Sequence, residues 1–236
     1  MAAERTIALV HGAFADASGF AGVIGELEGS GYRVIAPPNP LRGLMNDAES
    51  LSRVVSAIDG PVVLVGHSYG GAVISQAGGG LRNVEALVFL AALAPDVGES
   101  GASVQEPFPA PLLATENAPT PYDALGAPGG PEIYIKKERF REVFCGDSSE
   151  EAAAVMYATQ RPLALAGLTE KATAAAWHDL PNWFLVSDKD NAISPQAEEF
   201  EAQRMNATTE HVDASHTAFI PRYDVAAKLI RAAAES

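Results

Sequence analysis

The sequence predicts an α/β architecture: a mostly parallel β-sheet with helices on both faces and a helical insertion above the carboxyl ends of its strands. Three observations lead there. Apolar runs rich in β-branched residues alternate with segments of helical periodicity at both ends of the chain. The run Pro61-Val62-Val63-Leu64-Val65 lacks the polar alternation of a half-exposed strand, so it suits the centre of a parallel sheet. From residue 101 the alternation breaks down, with proline and glycine frequent to about 131, and it returns only after Pro181. Residues 101–170 are therefore read as a lid inserted over the sheet edge.

Each element has its own signal. Residues 7–10 form a short apolar run that stops at His11-Gly12-Ala13, as a buried strand ending in a glycine turn does. Residues 20–27 carry apolar side chains at helical spacing and end near Gly29 and Gly31, where C-terminal glycines belong. Residues 32–36 are the next strand, closed by Pro37 and Pro38. Residues 48–58 form the next helix, with Asn46 or Asp47 as its N-cap. Strands at 61–65 and 84–90 flank a helix at 72–77. Within the insertion, 138–165 reads as helical. Residues 182–187, 195–205, 208–212 and 224–234 then read as strand, helix, strand and helix. At 236 residues the chain fits one domain, 1–236.

Composition narrows the function classes. A formal net charge of −14 argues against nucleic acid and against an anionic membrane surface, since both are held by clusters of Lys and Arg. The single cysteine, Cys145, excludes an intramolecular disulfide and a thiolate zinc cluster, and suits a buried structural thiol. No window is long and apolar enough to span a bilayer, and the N-terminus has no secretory pattern, so a cytoplasmic location is expected.

The chemistry concentrates in three loops. Gly66-His67-Ser68-Tyr69-Gly70 matches G-x-S-x-G between the strongest strand and a helix, the context in which a serine is projected from the sheet edge on strained backbone. Acyl transfer needs two donors aimed at the developing oxyanion. One is the Tyr69 amide, which follows the nucleophile. The other comes from the loop after the first strand: the amide of Ala13, with Phe14 in reserve and His11 as a brace for the loop. Of five histidines, His216 lies in the loop between the last strand and the last helix, where a general base returns to the nucleophile. His211 falls within a strand, His67 inside the elbow, and His178 near the end of the insertion. For the acid three aspartates are open: Asp190, in the turn after strand 182–187, Asp188 two residues before it, and Asp96 after strand 84–90.

The chain order Ser, Asp, His belongs to the α/β-hydrolase arrangement. Together, HGAF, GHSYGG, AALAPDVGES, SDKDNAISP and ASHTAF resemble the small α/β-hydrolases related to plant methyl esterases and hydroxynitrile lyases, over nearly the whole chain. That resemblance implies an α/β-hydrolase fold, Asp190 as the acid, and Ala13 and Tyr69 as the oxyanion hole. It also implies a difference in reaction. Lyases of this branch carry Thr where Gly12 stands and Lys where Thr217 stands, so hydrolysis is expected here. The expected function is a serine hydrolase acting on a small to medium carboxylic ester, with no metal or cofactor. A ligand receptor on the same scaffold, or a lactonase or lyase using the same residues, are the alternatives. Phe14, Phe140, Phe144, Met156 and Tyr157, with Val155, are expected to line an apolar substrate pocket.

Overall fold

A computed structural model describes residues 5–122 and 130–236. In chain order the elements are β1 (Thr6–Val10), α1 (Ala21–Gly29), β2 (Arg33–Ile35), α2 (Leu44–Ser56), β3 (Val62–His67), α3 (Tyr69–Gly78), β4 (Val84–Leu90), β5 (Asn117–Tyr122), β6 (Gly130–Ile135), α4 (Phe140–Phe144), α5 (Glu150–Ala158), β7 (Leu163–Ala164), α6 (Ala166–Thr169), β8 (Asn182–Ser187), α7 (Pro195–Arg204), β9 (Thr208–Val212) and α8 (Tyr223–Ala234).

Six strands form one parallel sheet in the order β2-β1-β3-β4-β8-β9. Alternation along the strands explains why both faces are covered. Ile7, Leu9, Val63 and Val65 pack with Phe20 and Leu27 of the α1 side and Leu229 and Ile230 of α8. Ala8, Val10, Val62 and Leu64 point the other way, against Leu51 and Val55 of α2 and Val73 of α3. Strand order reverses between β1 and β3, because β1 continues to β2 on one side while β3 pairs on the other. The loops leaving these two strands therefore diverge and open a crevice at their carboxyl ends.

The insertion between β4 and β8 differs from the sequence expectation. Residues 138–165 are not one helix. Gly146 interrupts the pattern, the Ser149 side chain caps a new helix by accepting the Ala152 amide, and beyond Pro162 the chain enters β7. A small antiparallel sheet, β5-β6-β7, takes its first strand from the proline-rich stretch and its second from the end of it. Pro119 and Pro121 sit in β5, an edge strand, where a missing amide costs no ladder bond on the open side. Part of the 101–131 stretch, 123–129, lies outside the described residues.

Helix α2 starts earlier than Asn46 and Asp47 imply. Its N-cap is Gly43, and the carboxylate of Glu170, just past α6, accepts the Met45 amide at 3.1 Å. A remote residue fills the capping role, which local sequence could not reveal. Asp47 is freed for another task described below. Among the described residues no helix is long and apolar enough to cross a membrane.

Candidate active site

Ser68 stands at φ 55, ψ −126 between β3 and α3, a left-handed conformation that costs a non-glycine residue roughly 1–3 kcal/mol. Its backbone is pinned on both sides. The Ser68 amide donates to the Leu90 carbonyl at 3.1 Å, and its own carbonyl accepts from Gly71 and Leu93 at 2.9 and 3.1 Å. A Cβ on Gly66 would lie 2.5 Å from the Gly70 carbonyl oxygen, and one on Gly70 would overlap the carbonyl of Val10. The turn can close this tightly only with glycine at both flanks.

The segment after β9 carries His216, whose side chain is 1% exposed. Its Nδ1 donates to Asp190 Oδ2 at 2.5 Å, and Asp190 Oδ1 accepts the Ala192 and Ile193 amides at 2.6 and 2.9 Å. With Nδ1 protonated, Nε2 is left as the acceptor. Among the described residues Ser68 and His216 share no hydrogen bond, and the His216 ring bonds through Nδ1 to Asp190. Two elements fix the His216 loop from outside it. The His67 ring packs 4.6 Å from the His216 ring and its Nε2 donates to the His216 carbonyl at 3.1 Å. Asp147, between α4 and α5, accepts the Ser215 amide. Burial, then the neighbouring imidazole, push His67 well below the ordinary histidine range, so it packs there uncharged. Sequence reasoning gave His67 no such bracing role.

The three candidate aspartates each meet a different histidine. Asp190 pairs with His216 in the interior. Asp188 meets His211 at 2.9 Å and Asp96 meets His178 at 2.9 Å, and all four of those side chains are more than a third exposed.

The loop after β1 sorts the oxyanion candidates. The Phe14 amide is committed to the Arg161 carbonyl at 2.9 Å. Among the described residues the amides of Ala13 and Tyr69 have no protein acceptor. His11 braces this loop, its Nδ1 donating to the Gly12 carbonyl at 2.9 Å and its Nε2 accepting the Asn39 amide at 3.0 Å. The Tyr69 side chain turns inward, and its hydroxyl donates to Asp47 Oδ2 at 2.8 Å. Burial raises the Asp47 carboxyl, and burial with the adjacent Asp47 charge raises the Tyr69 phenol well above its ordinary value.

A cavity of about 390 Å³ lies beside the site, on the side of α5. Its wall includes Phe14, Phe144, Val155, Met156, Phe219 and Thr217, the last adjacent to His216. Ser68 is not in that wall and keeps only 9% exposure. Phe140 and Tyr157, expected among the lining residues, face a separate surface hollow with Lys137 and Arg141. Helical phase separates them: Ala152, Val155, Met156 and Thr159 share one face of the α5 segment, Ala153 and Tyr157 another. Cys145 is buried, and burial pushes its thiol up to about 11, too high for a thiolate nucleophile at neutral pH.

Sequence reasoning also missed two carboxyls on the buried face of α7. Glu198 and Glu201 are 0% and 1% exposed, in line with Ala197, Ala202 and Met205. The signal was present, since both fall on the apolar stripe of that helix. Burial outweighs the Arg204 guanidinium, 3.5 Å away, and pushes Glu201 up to about 8. In the unfolded chain the same carboxyl ionises at about 4.3. Its proton therefore stabilises the fold fully below that value, and the contribution is lost as pH rises through about 8. The melting temperature is expected to fall by a few degrees across that window and to fall less steeply in Glu201→Gln. Equal slopes for the two proteins would contradict the assignment.

A model of the alpha/beta hydrolase family matches residues 7–229. The chain is 28% identical over 213 residues to a probable hydrolase, R7, from a Phoma species, covering 80% of this chain and 79% of that one. Polyneuridine aldehyde esterase superposes with a TM-score of 0.84 at 19% identity, covering 98% and 99% of the two chains. The methylesterase MES16 from Arabidopsis gives a TM-score of 0.79 at 18% identity, covering 98% and 99%.

Proposed function

The chain belongs to the alpha/beta hydrolase family, and from that premise we propose that it is a serine esterase that forms an acyl-enzyme on Ser68. One observation carries the reading: a serine on strained backbone at the switch-point crevice shares its sheet edge with a buried His216–Asp190 pair and two amides that have no acceptor among the described residues. Ser68 Oγ attacks the ester carbonyl and its proton passes to His216 Nε2. Asp190 holds the imidazole in the tautomer that can accept that proton. The carbonyl oxygen, now negative, receives hydrogen bonds from Ala13 and Tyr69. His216 returns the proton to the leaving alcohol, then activates water to release the acid. The apolar wall of the neighbouring cavity favours an uncharged acyl or aromatic group.

The lyase alternative is disfavoured on steric as well as chemical grounds. A Cβ on Gly12 would lie 2.6 Å from the Ser68 Cβ, so the Thr of the lyases has no room beside this nucleophile. Thr217 cannot supply the cation that their Lys provides. Turnover of a panel of aryl and alkyl esters, with mass-detected acylation at Ser68, tests the proposal and separates it from a receptor without turnover. Mandelonitrile-type cyanohydrins are expected to release no cyanide above background. Rapid cyanide release, or no ester turnover by folded protein, would overturn it.

A further inference from the structure

Behind the His216–Asp190 pair lies a carboxyl that the proposed mechanism does not use. Glu198, on α7, is fully buried. Its Oε2 accepts the Ser187 amide at 3.0 Å, at the end of the strand whose following turn carries Asp190. Among the described residues its Oε1 has no donor, and the Asp190 amide closes the same turn onto the Ser187 carbonyl at 3.1 Å, so Ser187 holds both acidic residues at one point of the interior. Two carboxylates so placed would leave Oε1 a buried, unpaired acceptor beside a second anion, an arrangement that is strongly unfavourable. One proton removes the conflict, because a protonated Oε1 becomes a donor and Asp190 is its acceptor.

The proton has an evident owner. Both Asp190 oxygens already act as acceptors, Oδ2 from His216 and Oδ1 from Ala192 and Ile193. Glu198 has one amide donor, and the charged groups acting on it are Asp190 across the turn and Glu201 on its own helix, both acidic. Desolvation first, then Asp190, hold its carboxyl well above the usual range.

We propose that Glu198 is a positioning residue: it carries a proton at neutral pH and donates it as a hydrogen bond to Asp190, completing a buried chain from Glu198 through Asp190 to His216. The donor orients the Asp190 carboxylate and withdraws some of its charge, which sets how firmly His216 holds a proton. The inference rests on the triad reading above.

Infrared difference spectra and pH–rate profiles of wild type, E198Q and E198L test it. Wild type at neutral pH is expected to show a protonated-carboxyl stretch that E198Q lacks. E198L keeps the bulk but not the donor, so its kcat should fall by about tenfold. Its acid limb of kcat/KM should move upward by about half a unit or more, since Asp190 then stabilises the imidazolium more strongly. E198Q, whose amide both donates to Asp190 and accepts from Ser187, should rescue kcat and restore the limb. A downward shift of the limb in E198Q would mean that an anion had been removed, and would overturn the proposal. So would a missing carboxyl band in wild type, or a folded E198L with the wild-type profile. If E198L does not fold, the comparison of wild type with E198Q still decides. Failure of the triad reading looks different: Asp190→Asn would then turn over normally, whatever the infrared band shows.

Discussion

Replacing Ser68 with alanine is expected to lower kcat for ester hydrolysis by about 10⁶, the loss typical when a triad nucleophile is removed. Folding should survive. The Ser68 side chain makes no hydrogen bond among the described residues, and the bonds that hold the elbow run through its backbone to Leu90, Gly71 and Leu93. Alanine bears the same left-handed strain as serine, so the turn gains no new cost. The Ala13 and Tyr69 amides would still meet a bound carbonyl, leaving a residual rate above that of water. Steady-state hydrolysis of an aryl ester, with circular dichroism to check the fold, is the measurement. A folded variant that keeps more than a few per cent of turnover would mean that another group attacks the ester.

Much of this site was legible because its parts announce themselves locally. The elbow needs glycines around a serine after an apolar strand, and the parallel strands need unbroken β-branched runs. Both are short-range signals. What escaped notice depends on residues distant in sequence. Glu170 caps a helix that begins 126 positions earlier. Asp47, read as a cap, instead receives the Tyr69 hydroxyl. The β5–β6 hairpin was hidden because prolines argue against strands except at an edge, and edge position is a tertiary fact. The apolar residues expected around a pocket divide for a similar reason, with Phe14, Phe144, Val155 and Met156 on one cavity and Phe140 and Tyr157 on a separate hollow. Apolar residues on α5 could be recognised, but which face met the cavity depended on how the helix docks.

Asp190→Asn is expected to cost about 10⁴ in kcat while preserving the fold, and the hydrogen-bond pattern shows why so small a change should matter. Oδ1 accepts the Ala192 and Ile193 amides, so an asparagine would keep its oxygen there and turn its NH₂ toward His216. That NH₂ can only donate. The imidazole would then have to accept at Nδ1 and carry its proton on Nε2, the atom that must receive the proton of Ser68. The base would be present, correctly placed and in the wrong tautomer. Asp96→Asn and Asp188→Asn weaken exposed pairs with His178 and His211, each worth at most about 1 kcal/mol, and an asparagine oxygen at 96 can still accept the Val97 amide, so both should retain nearly full activity. Comparing kcat for the three variants at one pH above the acid limb isolates the tautomer effect from a shift in the profile. If Asp96→Asn is the crippled protein and Asp190→Asn turns over normally, the acid belongs after β4, and the buried His216–Asp190 pair is structural.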